Sequence, residues 1–134
     1  MVTRIGVGAF GDENREQMAI TLMIVDDHRS FRDAARRVLE SAGFEIVGEA
    51  ADGESALDQI PALRPDILLL DVQLPGIDGF EVASRLTARS DAPLIVMTSS
   101  RDGADFGPLV EDSGARGFIH KADLSGAAID AVLA

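Results

Sequence analysis

The sequence predicts an α/β protein built on a doubly wound parallel sheet of five strands, with helices on both faces. From residue 20 onward, short apolar runs that end in polar residues alternate with segments of helical spacing, in the order βαβαβαβαβ and then a last helix. Three of the runs are almost continuously aliphatic, as central parallel strands covered on both faces must be. Crossover connections between such strands put helices on either side of the sheet. A length of 134 residues allows one domain with a real core and is too short for two.

The strands are expected at residues 21–25 (TLMIV), 45–50 (EIVGEA), 66–70 (DILLL), 94–98 (LIVMT) and 117–120 (GFIH). The first helix carries Phe31, Ala34, Ala35, Val38 and Leu39 on one stripe, with Arg32, Arg36 and Arg37 outside it and Gly43 as its stop. A second helix starts near residue 54 and ends at Pro61, and a third runs from about 79 to 89 with Phe80, Ala83 and Leu86 facing inward. The fourth must come from DGADFGPLVEDSG, residues 102–114, where Gly107 and Pro108 interrupt a continuous helix. It is expected to be short, with Pro108 in its first turn.

Residues 1–17 lie outside this pattern, and MAITLMIVDD from Met18 reads as a natural start for a chain that opens on its first strand. The expected division is a flexible leader at 1–17 and one domain at 18–134. The leader contains Gly6-Val7-Gly8-Ala9-Phe10-Gly11, which fits the dinucleotide-binding spacing letter for letter. Only five residues precede it and an acidic polar stretch follows, so no strand and helix frame the glycines, and the match is read as chance. No GxxxxGK[ST] sequence supports a P-loop.

A net charge of -11 argues against direct contact with nucleic acid, which is held mainly by clustered Lys and Arg. Cysteine is absent, which removes disulfides and thiolate metal sites. The apolar runs are too short for membrane insertion, and no signal-type apolar region precedes Asp12 and Glu13, so a cytoplasmic protein is expected.

In open parallel sheets, ligands bind at the carboxyl ends of the strands where the winding reverses. Asp26 and Asp27 end the first strand and Asp71 follows the third, so strand adjacency gathers three carboxylates in one crevice. At about 5 Å and an effective dielectric near 20, each ionised pair repels by roughly 3 kcal/mol. Either one carboxyl holds a proton or a cation sits among them, and all-oxygen donors with open positions suit Mg²⁺. Thr98 adds a hydroxyl at the mouth and Lys121 an ammonium. A metal, a donor and a fixed positive charge around one carboxylate would stabilise an oxyanion with three equatorial oxygens, which makes Asp71 a nucleophile toward phosphorus.

In the combination IVDDH, LLLD followed by LPGIDG, VMTSS and GFIHK, the chain from about residue 20 to 134 resembles the receiver domain of bacterial two-component response regulators. The resemblance implies the flavodoxin-like strand order 2-1-3-4-5. It also implies Asp71 as phosphoacceptor, and Asp26, Asp27, Asp71 and the backbone carbonyl of Gln73 as Mg²⁺ ligands. Thr98 and Lys121 would contact the phosphoryl oxygens, with Thr98 and Phe118 as switch residues. The implied donor is a histidine kinase or histidine phosphotransfer protein, and the output is a downstream protein target or a receiver dimer. DDHRSFR and GFIHKADLSG are most similar to the subfamily joined to helix-turn-helix output domains, yet nothing follows Ala134, so a stand-alone or excised receiver is expected. Ala122 stands where many receivers have proline, which removes the usual reason for a cis bond.

Taken singly, each residue has a plainer reading. Asp27 is as well suited to capping the first helix, Thr98 to ordinary strand packing, Lys121 to the surface and Phe118 to the core. His28 and His120 are read as noncatalytic because no clustered ligand spacing surrounds them. Independent causes would not put all the polar groups at the same end of consecutive strands. Two other functions compete: a receiver-like binding module that works unphosphorylated, and a small Mg²⁺-dependent aspartyl phosphatase. The second lacks an acid-base residue two positions after Asp71, where Gln73 stands.

Overall fold

The computed structural model describes residues 19–134. Within them the order is β1 (Thr21–Val25), α1 (Arg29–Ser41), β2 (Glu45–Ala50), α2 (Gly53–Leu63), β3 (Ile67–Asp71), α3 (Gly79–Thr87), β4 (Leu94–Ser99), α4 (Leu109–Asp112), β5 (Gly117–His120) and α5 (Gly126–Leu133). Short 3₁₀ turns at Gly103–Phe106 and Lys121–Asp123 precede α4 and α5. The five strands are all parallel and run in the order β2-β1-β3-β4-β5, as expected.

Strand alternation divides the core in two. Met23, Val25, Leu68, Leu70, Ile95 and Met97 bury one face under α2 and α3, against Ala56, Ile60, Val82 and Leu86. Leu22, Ile24, Ile67, Leu69, Val96 and Ile119 bury the other under α1 and α5, against Ala35, Leu39 and Ile129. The doubly wound architecture follows from strands that are apolar at every position, because each face then needs its own helical cover.

Several local expectations are corrected. Helix α1 buries Ala35 and Leu39, whereas Val38 is 41% exposed; its apolar stripe is narrower than the spacing implied. Arg32 and Arg36 lie against the sheet edge, where Arg32 Nε meets Glu49 Oε1 at 3.0 Å and an Arg36 nitrogen meets Glu49 Oε2 at 2.8 Å. Helix α2 continues through Pro61 to Leu63 and stops at Arg64, which is left-handed at φ 48. Leu63 packs onto the core under Gly48, and this packing outweighs the one backbone bond that Pro61 forfeits in the last turn. Asp27 does not cap α1: the N-cap is His28, whose side chain makes no cap bond.

Strand β3 extends one residue further than expected, so Asp71 is part of it. Gly79 then opens α3 directly against that strand end, donating to Val72 O at 2.8 Å. A Cβ there would lie 2.3 Å from Asp71 O, so only glycine lets α3 approach this closely. The fourth helix is short, as expected, with Pro108 at its N-cap and Gly107 before it at φ 55 and ψ -132. All described peptide bonds are trans, including that before Ala122. The leader and its Gly6–Gly11 motif lie outside the described residues.

Candidate functional site

Three adjacent strands deliver the polar groups by continuing their own alternation. Asp26, Asp71 and Thr98 each stand two residues beyond a buried side chain of the α1/α5 face, namely Ile24, Leu69 and Val96. Since β3 pairs with both β1 and β4, and Asp71 is aligned with Thr98, the three emerge side by side at the carboxyl edge. All three are buried, Asp26 at 0%, Asp71 at 3% and Thr98 at 1% exposure. Asp27 is exposed beside them. Ligand atoms of Asp26, Asp27, His28 and Asp71 all lie within 4.8 Å of one another.

Lys121 enters from the turn after β5. Its Nζ donates to Asp71 Oδ2 at 3.3 Å and lies 2.6 Å from Asp26 Oδ2, the latter a charge contact without hydrogen-bond alignment. The same ammonium sits 4.6 Å from the centroid of the Phe31 ring. Backbone groups hold the acids in place: Gln73 N–H donates to Asp71 Oδ1 at 3.1 Å and His28 N–H to Asp26 Oδ1 at 2.8 Å. Arg32 donates to the Asp26 carbonyl at 2.7 Å and so ties α1 to the end of β1.

Burial, and then the charge of Asp26, push the Asp71 carboxyl up to about 6, against the opposing pull of the Gln73 N–H and Lys121. Burial alone would lower the Lys121 pKa, but its contacts to Asp26 and Asp71 outweigh that and hold it above the ordinary lysine value. The Thr98 hydroxyl has no hydrogen-bond partner among the described residues. An unpartnered buried hydroxyl is costly, and its position beside Asp71 suits a ligand oxygen bound there.

The residues present fit a divalent cation. Three carboxylates converge, one of them with its pKa raised by burial and by the charge of Asp26, and their oxygens are the hard donors that Mg²⁺ takes. Asp26, Asp27 and Asp71 would hold the ion, and Gln73 is anchored two residues beyond Asp71 where its carbonyl could join them.

The expected site residues thus fall into two groups. Asp26, Asp27, Asp71, Thr98 and Lys121 come together with Gln73 at the rim. Phe118 does not share their face: it pairs with Met97 and packs toward α3, its ring 5.8 Å from that of Phe106, which is in turn 5.7 Å from Phe80. Sequence reading missed Phe106 because it lies in a stretch with no helical period. It also set aside His28, whose Nδ1 lies 3.2 Å from Asp26 Oδ1 and 3.1 Å from Asp27 Oδ1. The available signal was simple adjacency to the acidic pair.

A doubly wound sheet of this strand order, with a buried acidic crevice at its carboxyl edge, defines the receiver class of α/β domains. The family model for the response regulator receiver domain matches residues 22–131, and the chain belongs to that family. The DNA-binding transcriptional activator EvgA of Escherichia coli K12 is 34% identical over 99 residues, covering 74% of this chain and 48% of EvgA. The chain spans about half the length of such curated relatives. A LuxR-family two-component response regulator from Aurantimonas sp. SI85-9A1 superposes with a TM-score of 0.77 at 32% identity, covering 86% of this chain and 85% of that one. The chemotaxis response regulator CheY4 of Vibrio cholerae gives 0.76 at 26% identity, covering 86% and 99%. Receiver domains are in general phosphoacceptors rather than enzymes. They bind Mg²⁺ through acidic residues, and membership implies a phosphodonor partner. No helix among the described residues is long and apolar enough to cross a membrane.

Proposed function

We propose that Asp71 accepts a phosphoryl group from the phosphohistidine of a histidine kinase or phosphotransfer protein, in the cytoplasm, and that this switches a protein-interaction surface. The observation that carries this reading is the company Asp71 keeps: a buried carboxylate flanked by the Lys121 ammonium on one side and the unpartnered Thr98 hydroxyl on the other. With its pKa raised to about 6, Asp71 is still mostly ionised at neutral pH and is more basic than an ordinary aspartate. A carboxylate oxygen attacks phosphorus, the P–O bond forms as the P–N bond breaks, and the electron pair leaves with the donor imidazole. Lys121 Nζ and Thr98 Oγ donate to the transferring oxygens. Mg²⁺ held by Asp26, Asp27, Asp71 and the Gln73 carbonyl would neutralise the phosphoryl charge when bound.

The product adds charge of about -1.5 to -2 beside Thr98, and the hydroxyl is drawn toward it. Phe118, one residue before the Thr98 register partner Ile119, responds on the opposite face of the sheet. The altered surface, made by α4, β5 and α5, engages a protein target or a second receiver; the net charge of -11 supports a protein rather than nucleic acid as the direct partner of this domain.

The test is intact-mass analysis after incubation with acetyl phosphate and Mg²⁺. Wild type gains one phosphoryl group and Asp71→Asn gains none; equal incorporation in the variant would move the acceptor elsewhere.

A further inference from the structure

We propose that His28 is a fourth protein donor to the divalent ion of this site, and that it turns the site's preference from Mg²⁺ toward imidazole-seeking transition-metal ions such as Co²⁺. The inference rests on the reading of Asp26, Asp27 and Asp71 as metal ligands.

The spacing of the donor atoms carries it. On an octahedral ion with bonds of about 2.1 Å, neighbouring donors lie about 3.0 Å apart and opposite ones about 4.2 Å. His28 Nδ1 stands 3.2 Å from Asp26 Oδ1 and 3.1 Å from Asp27 Oδ1. The whole set, Asp71 included, spans no more than 4.8 Å. Shifts of a few tenths of an ångström therefore bring all four onto one ion.

The ring Nδ1 hydrogen-bonds Asp26 Oδ1 at 3.2 Å and lies 3.1 Å from Asp27 Oδ1, contacts that a shared ion would replace. His28 occupies the N-cap of α1 in extended conformation but makes no side-chain cap bond. It is 66% exposed, so a hydrated ion reaches it from solvent. Its backbone N–H also donates to Asp26 Oδ1, at 2.8 Å, and this bond holds the loop whatever side chain stands there. The chain has two histidines, and the other, His120, has its Nδ1 engaged 3.0 Å from the Ala122 N–H. Carboxylates and carbonyls suit Mg²⁺, whereas an imidazole nitrogen suits the later transition metals. One added imidazole therefore changes the ranking of ions more than it changes the hold on Mg²⁺.

The experiment is calorimetric titration of untagged wild type, His28→Gln and Asp27→Ala with Mg²⁺ and with Co²⁺, joined to cobalt K-edge X-ray absorption. The glutamine keeps the neutral charge and removes the imidazole. Removing the groups that merely orient a ligand lowers metal affinity by about 10- to 100-fold, so the wild-type preference for Co²⁺ over Mg²⁺ is expected to fall at least about tenfold in His28→Gln, with Mg²⁺ affinity little changed. Imidazole scattering around cobalt is expected in wild type and absent in that variant. An unchanged preference in His28→Gln, an equal loss for both ions, or no imidazole scattering in wild type overturns the assignment of His28. If Asp27→Ala meanwhile loses both ions, the three-carboxylate site stands and His28 alone is rejected. If Asp27→Ala binds both as wild type does, the metal site itself falls and this proposal with it.

Discussion

Asp71 and Thr98 face each other at the last paired position of β3 and β4, and only the aspartate has its polar atoms satisfied. Two neighbouring groups at one sheet edge, equally buried, are thus treated oppositely by the fold. The carboxylate is held by the Gln73 N–H and Lys121, while the hydroxyl has no partner among the described residues. What that hydroxyl contributes to stability is measurable.

Thr98→Val replaces the hydroxyl with a methyl group of nearly the same shape. A buried polar group without a partner costs about 1–3 kcal/mol, so the variant should be as stable as wild type or more stable, by up to that amount, in urea unfolding. Its phosphorylation by acetyl phosphate should be slower. A loss of stability at Thr98→Val would mean that the hydroxyl is satisfied in the unphosphorylated protein.

Asp71 should make stability fall as pH rises. Its folded pKa, raised from 3.8 to about 6, lies above the unfolded value, so between these values the folded chain binds more protons. The protonated group is accommodated at pH 4, and its ionised form is penalised above pH 6. The shift corresponds to roughly 3 kcal/mol. With divalent ions chelated, Asp71→Asn should exceed wild type by up to that amount at pH 7.5, with the gap closing toward pH 4. A gap independent of pH would show that Asp71 ionises normally.

Mg²⁺ should relieve the same penalty. Ion present at ten times its dissociation constant adds about 1.4 kcal/mol of stability by mass action, seen as a rise of several degrees in thermal unfolding. Asp27→Ala should lose most of the rise. An equal shift in wild type and variant would place the ion away from these acids.

The ring contacts of Phe80, Phe106 and Phe118 predict the route of the switch. In NMR spectra taken with the phosphoryl mimic beryllofluoride, amide shifts should extend from residue 98 through 103–120. Phe106→Leu removes one aromatic partner from each contact, at about 0.5–1.5 kcal/mol per pair. In that variant the perturbation should persist at residue 98 and shrink at Phe118. Shifts confined to the three acids in wild type would leave phosphorylation without this relay.

What the sequence alone determined is what depends on period and order. Aliphatic runs such as ILLL at 67–70 specify strands buried on both faces, and crossover connections then make a doubly wound parallel sheet; its order 2-1-3-4-5 was implied only by the resemblance to receiver domains. Placing Asp26, Asp71, Thr98 and Lys121 at one edge needed no more than knowing that each lies at the carboxyl end of a parallel strand. Tertiary packing decided the rest, because it depends on distances between segments that no local pattern encodes. The extension of α2 past Pro61 came from the seat of Leu63 against Gly48. The place of Phe118 on the face away from Thr98 came from β4–β5 register, where a shift of one residue exchanges the faces. The approach of His28 Nδ1 to two carboxylates depended on how the β1–α1 turn folds back over the strand end, held there by its own N–H to Asp26.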